Sequence, residues 1–172
     1  MNWQFRRAIT PGLAMLAVLT GMPLATAADP PREMRDLVRM SQSELEALYL
    51  ASPPAPAPNG FLPGRAIKSP GSPFTAANAR LTRIVWQGKI FRDDGTMINR
   101  MFGAAKAIPA DVYLGESLID GQPSLILDYS RSKLWPDVRD EIREVAPGLY
   151  LGVMYKGNPA TQKMFFTLDA RK

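Results

Sequence analysis

The sequence contains no cysteine and no histidine. Without cysteine there can be no disulfide, no thiolate metal site and no cysteine nucleophile. Without histidine the commonest general base and metal ligand is missing, which excludes Ser-His-Asp hydrolysis and His-ligated zinc or haem. Any catalysis therefore depends on Asp, Glu, Lys, Tyr, Ser or Arg, and we predict no metal site and no cofactor.

Clusters of basic residues are also missing from the sequence. The chain carries 21 Lys and Arg against 16 Asp and Glu, a formal net charge of +5, and the two signs are interspersed. Segments that bind nucleic acid usually concentrate Lys and Arg in short runs. We therefore predict no nucleic-acid partner. The sequence also has no glycine-rich phosphate loop, no calcium loop and no internal repeat.

The first 27 residues have the order of a secretory signal peptide. Arg6-Arg7 forms a positive start, residues 8–24 are uncharged and mostly apolar, and Ala25-Thr26-Ala27 supplies the small residues that a signal peptidase needs. An uncleaved anchor is the alternative, but a spanning helix needs roughly 20 predominantly apolar residues, and Pro and Gly interrupt this stretch. We predict a cleaved leader, a periplasmic or secreted protein, and no stable membrane span after cleavage.

Residues 28–73 are predicted to form an N-terminal helix and a proline-rich connector. Ser41 and Glu44 have the spacing of a capping box, which predicts a helix over residues 41–51. The sequence SPPAPAP at 52–58 cannot be helix or interior strand, because each proline removes a backbone donor. Further Pro and Gly residues extend the predicted loop to Pro73, as a structural wrap, a lid or a tether.

Residues 74–172 are predicted to form a β-rich domain. Phe74, Ala77, Leu81 and Ile84 have helical spacing, and alternating or apolar runs bounded by turn signals then predict strands. The predicted strands cover residues 85–91, 96–102, 111–118, 124–129, 149–155 and 163–168, and a helical turn is predicted at 136–145. About six or seven strands joined by short connections indicate a mainly β protein. We expect a small antiparallel β-barrel or half-barrel with two or three short helices, and a helix-covered open sheet is the alternative.

Trp86-Gln87-Gly88-Lys89 is the most specific local feature of the predicted strands. The tryptophan and lysine would flank a ligand, with the glycine permitting close approach of the backbone. Alternatively, Trp86 is a core anchor and Gly88 a β-bulge.

Asp128 follows the apolar run Leu125-Ile126-Leu127 and is the candidate catalytic acid or base. A carboxylate near an apolar interior would have a raised pKa. Alternatively, this Asp caps a turn or pairs with an arginine, for which Arg131, Arg139 and Arg143 are candidates.

Four tyrosines on the predicted strands and one arginine complete the polar candidates. Inward-facing tyrosines would supply hydroxyl groups to an apolar cavity, whereas outward-facing ones would simply occupy β-favoured positions. Arg139 would hold a polar head group or lie on the solvated face of the helical turn. The tyrosines are Tyr113, Tyr129, Tyr150 and Tyr155.

The order of several motifs carries a family resemblance. They are Trp86-x-Gly88-Lys89, Asn99, Leu127-Asp128-Tyr129, Asp140 with Arg143, Leu151 to Met154, and Phe165-Phe166-x-Leu168. Together they resemble a family of small bacterial and fungal proteins known by a G-x-W-x-G motif and lipocalin-like in fold. The resemblance covers residues 83–171, and Ile84 stands in place of the motif's first glycine. It implies a calycin-type β-barrel, and it implies no catalytic residue, because the chemistry of that family is unsettled.

Three functions are compatible with these observations. The first is an exported carrier that binds a small apolar ligand. The second is an isomerase, cyclase or lyase that uses Asp128, with Tyr129 or Lys89 assisting. The third is an envelope interaction module whose proline-rich segment contacts a partner. The candidate ligand-binding residues are Trp86, Lys89, Asn99, Tyr113, Tyr129, Arg139, Tyr150 and Tyr155.

Overall fold

Eight antiparallel strands close into a barrel in the computed structural model, which describes residues 31–171. Each strand pairs with the next along the chain, and β1 pairs with β8 to close the sheet. The strands are β1 Gly60–Ile67, β2 Trp86–Phe91, β3 Thr96–Met101, β4 Lys106–Glu116, β5 Pro123–Asp128, β6 Val138–Ala146, β7 Leu149–Lys156 and β8 Thr161–Asp169. The predicted mainly β fold with a small antiparallel barrel is confirmed, and the half-barrel and open-sheet alternatives are wrong. The predicted leader lies outside the described residues.

Within residues 31–171 three helices accompany the barrel, in agreement with the two or three predicted. They are α1 Met34–Arg39, α2 Gln42–Ala51 and α3 Thr75–Val85, and a short 3-10 turn follows β3. The predicted capping box begins α2: the Ser41 backbone N–H donates to Glu44 Oε2 over 2.7 Å, and the Glu44 N–H donates to Ser41 Oγ over 3.3 Å. Both bonds satisfy donors that a helix start leaves free. Within the described residues, none of the helices combines the length and the apolar character needed to cross a membrane.

The barrel has an apolar core on each side of its wall. Because side chains alternate along a strand, Tyr150, Gly152 and Met154 of β7 face the interior. Leu151 and Val153 face outward and pack under α1 and α2. Burial on both faces explains why β7 is an almost continuous apolar run.

Strand β1 lies where the sequence predicts a loop, and that prediction is wrong. Its first half pairs with β2 through Gly60 to Pro63, and its second half pairs with β8 through Gly64 to Ile67. Pro63 therefore lies where β1 passes from one partner to the other, so its missing N–H removes little pairing. The barrel accordingly begins before residue 74, the predicted domain boundary. Ala55 of the preceding proline-rich segment is buried against the interior core, as expected of a structural wrap.

Strand β6 replaces the helical turn predicted at 136–145, which is also wrong. Val138, Asp140 and Ile142 are buried on one side of the strand, and Arg139, Glu141 and Arg143 lie on the other. Val138 and Ile142 are four residues apart, so their spacing fits a helix, and the charged residues between them hide the alternation of the strand. The segment forms a strand because it pairs with β5 on one edge and with β7 on the other.

The two ends of the barrel differ in their connections. In a barrel of this topology the connections alternate between the ends, so β1–β2, β3–β4, β5–β6 and β7–β8 meet at one end. We call this the open end, because the cavity described below is reached from it. The connections β2–β3, β4–β5 and β6–β7 lie at the other end, which we call the closed end.

Candidate ligand-binding site

A cavity of about 240 Å³ lies inside the barrel at the open end. Exposed residues of the β1–β2 connection, Lys68 and Val85, line its mouth, and buried residues of the barrel line its depth. Its apolar wall is made of Trp86, Met101, Trp135, Met154, Met164 and Phe166. Its polar lining comes from the lysine, asparagine and aspartate described next.

A β-bulge aims two of the predicted residues into this cavity. The pairing register of β2 with β3 shifts between Trp86 and Gly88, which places one extra residue in β2. A bulge reverses the alternation of side chains, so Trp86 and Lys89 both face the interior although they are three residues apart. The prediction that Gly88 marks a bulge is confirmed.

Lys89 lies at the centre of a buried polar cluster. Its Nζ donates to Asp140 Oδ2 over 2.8 Å, to the Tyr129 hydroxyl over 2.6 Å and to Asn99 Oδ1 over 3.1 Å. All four residues are buried, none of them more than 4% exposed. Asn99 is the register partner of Lys89 on β3, whereas Asp140 reaches it from β6. The three N–H groups of the ammonium are therefore all used.

The other polar atoms of the cluster are paired as well, with one exception. The Tyr129 hydroxyl donates to Asp140 Oδ2 over 2.9 Å, and Asn99 Nδ2 donates to the Ile108 carbonyl over 3.0 Å. Trp86 Nε1 donates to Asn99 Oδ1 over 2.9 Å. Asp140 Oδ1 is buried and has no hydrogen-bond partner among residues 31–171. We call this atom the open carboxylate oxygen.

Aromatic rings and a counter-charge set the electrostatics of Lys89. Its Nζ lies 5.0 Å from the ring centroid of Phe166, 5.3 Å from that of Tyr129 and 5.5 Å from that of Trp86. Burial lowers the pKa of Lys89, and the adjacent Asp140 acts in the opposite direction. Burial, and then Asp140, raise the pKa of Tyr129 well above its ordinary value. The tyrosine therefore stays protonated at neutral pH.

Of the eight predicted ligand-binding residues, the fold brings four together: Trp86, Lys89, Asn99 and Tyr129. Tyr150 is also inside the barrel, but it lies near the start of β7, towards the closed end, and outside the cavity lining. The remaining three, Tyr113, Arg139 and Tyr155, are on the outer side of the wall, because the alternation of their strands points them outward. Tyr113 is exposed, Arg139 pairs with Glu141 over 2.9 Å, and Tyr155 packs under the helices.

Asp128 does not have the environment predicted for a catalytic carboxylate. It is the residue before inward-facing Tyr129, so it points outward, where it accepts bonds from the Tyr113 hydroxyl over 3.2 Å and the Ser130 N–H over 2.8 Å. Partial burial acts to raise the pKa of Asp128, but these hydrogen bonds outweigh it and the pKa lies below its ordinary value. The carboxylate inside the barrel is that of Asp140.

Sequence reasoning missed Asp140 as a cavity residue because it assigned residues 136–145 to a helix. Local sequence gives no clear signal for it, because three consecutive charged residues, 139–141, separate Val138 from Ile142 and hide the alternation of the strand. Trp135, Met101, Met154, Met164 and Phe166 were also missed. For these residues local sequence offers no signal, since the cavity joins strands that are distant along the chain.

Comparison with known proteins supports the fold and leaves the function open. No protein-family model and no curated protein matches the chain. A solved structure, described as a protein from Thermomonospora curvata, is similar with a TM-score of 0.53 and 18% sequence identity, over 78% of this chain and 90% of that chain. At this identity the similarity shows the fold alone. The resemblance to the small lipocalin-like family stays a prediction.

Tyr155 provides a test of the outer core through its dependence on pH. Its hydroxyl is buried without a partner in the described part of the chain, and burial strongly raises its pKa. Because folding raises this pKa, the linkage contribution of Tyr155 to stability is constant below about pH 10 and is lost as pH rises above about 10, where the unfolded chain ionises first. We expect Tyr155→Phe to be neutral or stabilising at pH 7. We also expect it to flatten the alkaline loss of stability by up to about 1.4 kcal/mol per pH unit.

Urea unfolding at several pH values measures both effects. The comparison variant is Tyr113→Phe. Burial and then Asp128 also raise the pKa of Tyr113, but its side chain is exposed, so its loss should change the alkaline slope less than the loss of Tyr155 does. A Tyr155→Phe variant that is destabilised by more than about 1 kcal/mol at pH 7 would mean that the hydroxyl has a partner.

Proposed function

We propose that the barrel is an exported carrier that binds a small, neutral, mostly apolar molecule bearing one hydrogen-bond donor. The observation that carries the proposal is a cavity with apolar walls that Asp140 helps to line, together with a buried Asp140 oxygen that has no hydrogen-bond partner in residues 31–171. The signal-peptide pattern of the first 27 residues supports export.

The cavity wall favours an apolar ligand of modest size. Aromatic rings and methionines form most of the lining, and methionine side chains adapt to irregular shapes. A dry apolar cavity of about 150 Å³ can hold benzene. A cavity of about 240 Å³ therefore suits a molecule with two fused rings or a comparable branched chain.

The polar cluster favours a donor on that ligand. Lys89 has used its three N–H groups, and the hydroxyl of Tyr129 is engaged with Lys89 and Asp140. Only the open carboxylate oxygen is left to receive a hydrogen bond, and a buried acceptor without one is costly. A hydroxyl or N–H group on the ligand would satisfy it.

The charge of the cluster favours a neutral ligand. Lys89 and Asp140 form an ion pair and cancel each other's charge. A ligand anion would meet a second negative charge at the open carboxylate oxygen, whereas a cation would lose its hydration in an apolar cavity.

Indole and N-methylindole form a matched pair of probes, because they differ in the N–H donor and little in size. We expect isothermal titration calorimetry to give indole at least about tenfold tighter binding, since a hydrogen bond to a charged acceptor is worth about 1.5–3 kcal/mol. Met154→Trp should weaken both probes by filling the cavity. Asp128→Asn should leave both unchanged, because Asp128 points outward.

The outcomes separate the parts of the proposal. Equal binding of the two probes would contradict the proposal that the ligand bears a hydrogen-bond donor, but it would still support binding in an apolar cavity. Failure of both probes, together with an unliganded mass in native mass spectrometry of the gently purified protein, would overturn the proposal. A bound molecule in that spectrum would give the natural ligand's mass.

The same oxygen is the basis of a second candidate function, an enzyme that moves a proton. In an apolar cavity beside Tyr129 and Lys89, Asp140 could accept a proton from a bound ligand, in place of the predicted Asp128. Incubation of the protein with its extracted ligand in D₂O distinguishes the functions. An enzyme would introduce deuterium at carbon, and a carrier would return the ligand unchanged.

A further inference from the structure

The apolar face of α3 is exposed at the open end. Phe74, Leu81, Ile84 and Val85 are between 56% and 69% exposed, although they lie at helical spacing. The opposite face of the helix, with Thr75 and Ala79, is the buried one. An amphipathic helix normally buries its apolar face, so this orientation needs an explanation.

Two other connections add large apolar side chains at the same end. Phe102 lies in the β3–β4 connection and is 69% exposed, and Leu134 lies in the β5–β6 connection and is 70% exposed. Single exposed apolar residues are ordinary, but a group of them at one end marks an interaction surface. We call this group, with the face of α3, the apolar rim.

Charge is distributed unequally between the two ends. The open-end segments 68–85, 102–106, 129–137 and 156–163 carry eight basic residues and one acidic residue, Asp137. The basic residues are Lys68, Arg80, Arg83, Lys106, Lys133, Lys156 and Lys163, together with Arg131, which is paired with Asp111 of β4 and lies beside Arg92. The closed-end segments 92–95 and 116–122 carry Arg92 against Asp93, Asp94, Glu116 and Asp120.

We propose that the open end of the barrel docks on the surface of an anionic lipid bilayer. Basic residues around exposed apolar side chains are the combination that binds peripheral proteins to such surfaces. The apolar rim would enter the headgroup boundary, and the surrounding lysines and arginines would lie among the anionic headgroups. Docking does not require a ligand, so it goes beyond the proposed function, but it would place the mouth of the cavity at the bilayer.

Charge disfavours the other occupants of the rim. The open end of a second copy would bring basic residues against basic residues. The segment before residue 29 would match the apolar part of the rim, but it carries Arg6 and Arg7 and no acid, and its first 27 residues are predicted to be cleaved. An anionic bilayer matches both the apolar and the basic parts.

A single label on the rim tests the docking directly. Because the chain has no cysteine, Ile84→Cys can carry one bimane label at a position that is 56% exposed. We expect a blue shift of bimane emission with phosphatidylcholine vesicles that contain phosphatidylglycerol, and none with phosphatidylcholine alone. Leu118→Cys is the control, since Leu118 is similarly exposed at the closed end and should show no shift.

Charge reversal tests the electrostatic part. Each basic residue at an anionic surface contributes about fivefold to partitioning, so Arg83→Glu should reduce vesicle cosedimentation by at least about tenfold. Arg92→Glu makes the same change of net charge at the closed end and should have little effect. Binding should also weaken as salt is added.

Three results would overturn the docking. One is the absence of binding to the phosphatidylglycerol vesicles. Another is a label at position 84 that is already in an apolar environment without vesicles at every dilution, which would mean that the chain's own N-terminal segment covers the rim. The third is a label environment that changes with dilution, which would mean that a second copy covers it. The indole titration is independent of all three.

Discussion

Lys89→Met will lower the free energy of unfolding by about 3–5 kcal/mol at neutral pH, as measured by urea denaturation. Removing one partner of a buried ion pair leaves the other charge without compensation. In this variant the Tyr129 hydroxyl is the one donor to Asp140 that remains among the described residues. Both carboxylate oxygens would stay in a low-polarity environment.

The double variant Lys89→Met/Asp140→Leu is the control, and it should recover most of the lost stability. Replacing a buried pair by apolar residues of similar size is often neutral or stabilising. A single variant that loses less than about 1 kcal/mol would show that the pair is solvated, and a double variant as unstable as the single would show that packing is responsible.

The double variant also connects the cluster with the proposed function. If the barrel folds without the Lys89–Asp140 pair, stability does not account for its presence. The variant should then bind indole and N-methylindole with equal affinity, because it lacks the acceptor that discriminates between them. A binding site is expected to contain a charged pair that ligand selection requires and that folding does not.

Much of the fold could be predicted from local sequence. The hairpin β7–β8, the turn between β4 and β5, and the helix that begins after Ser41 are all encoded by short-range signals: apolar runs, Asp-Gly turns and a capping box. Closure of the barrel could be expected only as one of several arrangements, since the pairing of β1 with β8 joins residues that are about a hundred positions apart.

The errors have a common physical cause, which is that tertiary pairing overrode a local preference. Pro63 disfavours an interior strand, yet it is tolerated where β1 changes partners. The spacing of Val138 and Ile142 fits a helix, yet β5 and β7 take residues 138–146 into the sheet. This second error concealed Asp140, the acid of the polar cluster.

The candidate site was predicted in part because two of its members are neighbours on β2. Trp86 and Lys89 belong to one sequence motif. Asn99 is predicted from the family resemblance, and Tyr129 is predicted from the tyrosines on the strands. Tyr113, Tyr155 and Arg139 could not be distinguished from them, since the side of the wall that a residue faces depends on register and bulges. One glycine, Gly88, sets that register at the cavity.

Gly88→Ala should therefore cost about 3 kcal/mol or more and should weaken indole binding as well. Gly88 has a φ of +141°, and a Cβ there would lie 2.1 Å from the Leu62 carbonyl oxygen and 2.9 Å from the backbone of Pro63. Backbone strain of this kind costs about 1–3 kcal/mol, and an overpacked contact costs a similar amount. Because the obstructing atoms belong to the backbone of β1, the clash can be relieved only by moving the strand pair that carries Lys89.

Gly121→Ala is the matched control for this prediction, measured by urea unfolding and indole titration. Gly121 also has a positive φ, of +69°, but a Cβ there would meet nothing within 4 Å among the described residues, so its cost should be about 1–2 kcal/mol with no change in binding. Equal losses in the two variants would attribute the effect to φ alone. A larger loss for Gly88→Ala, accompanied by weaker binding, would show that the close approach of β1 to the bulge positions Lys89 in the cavity.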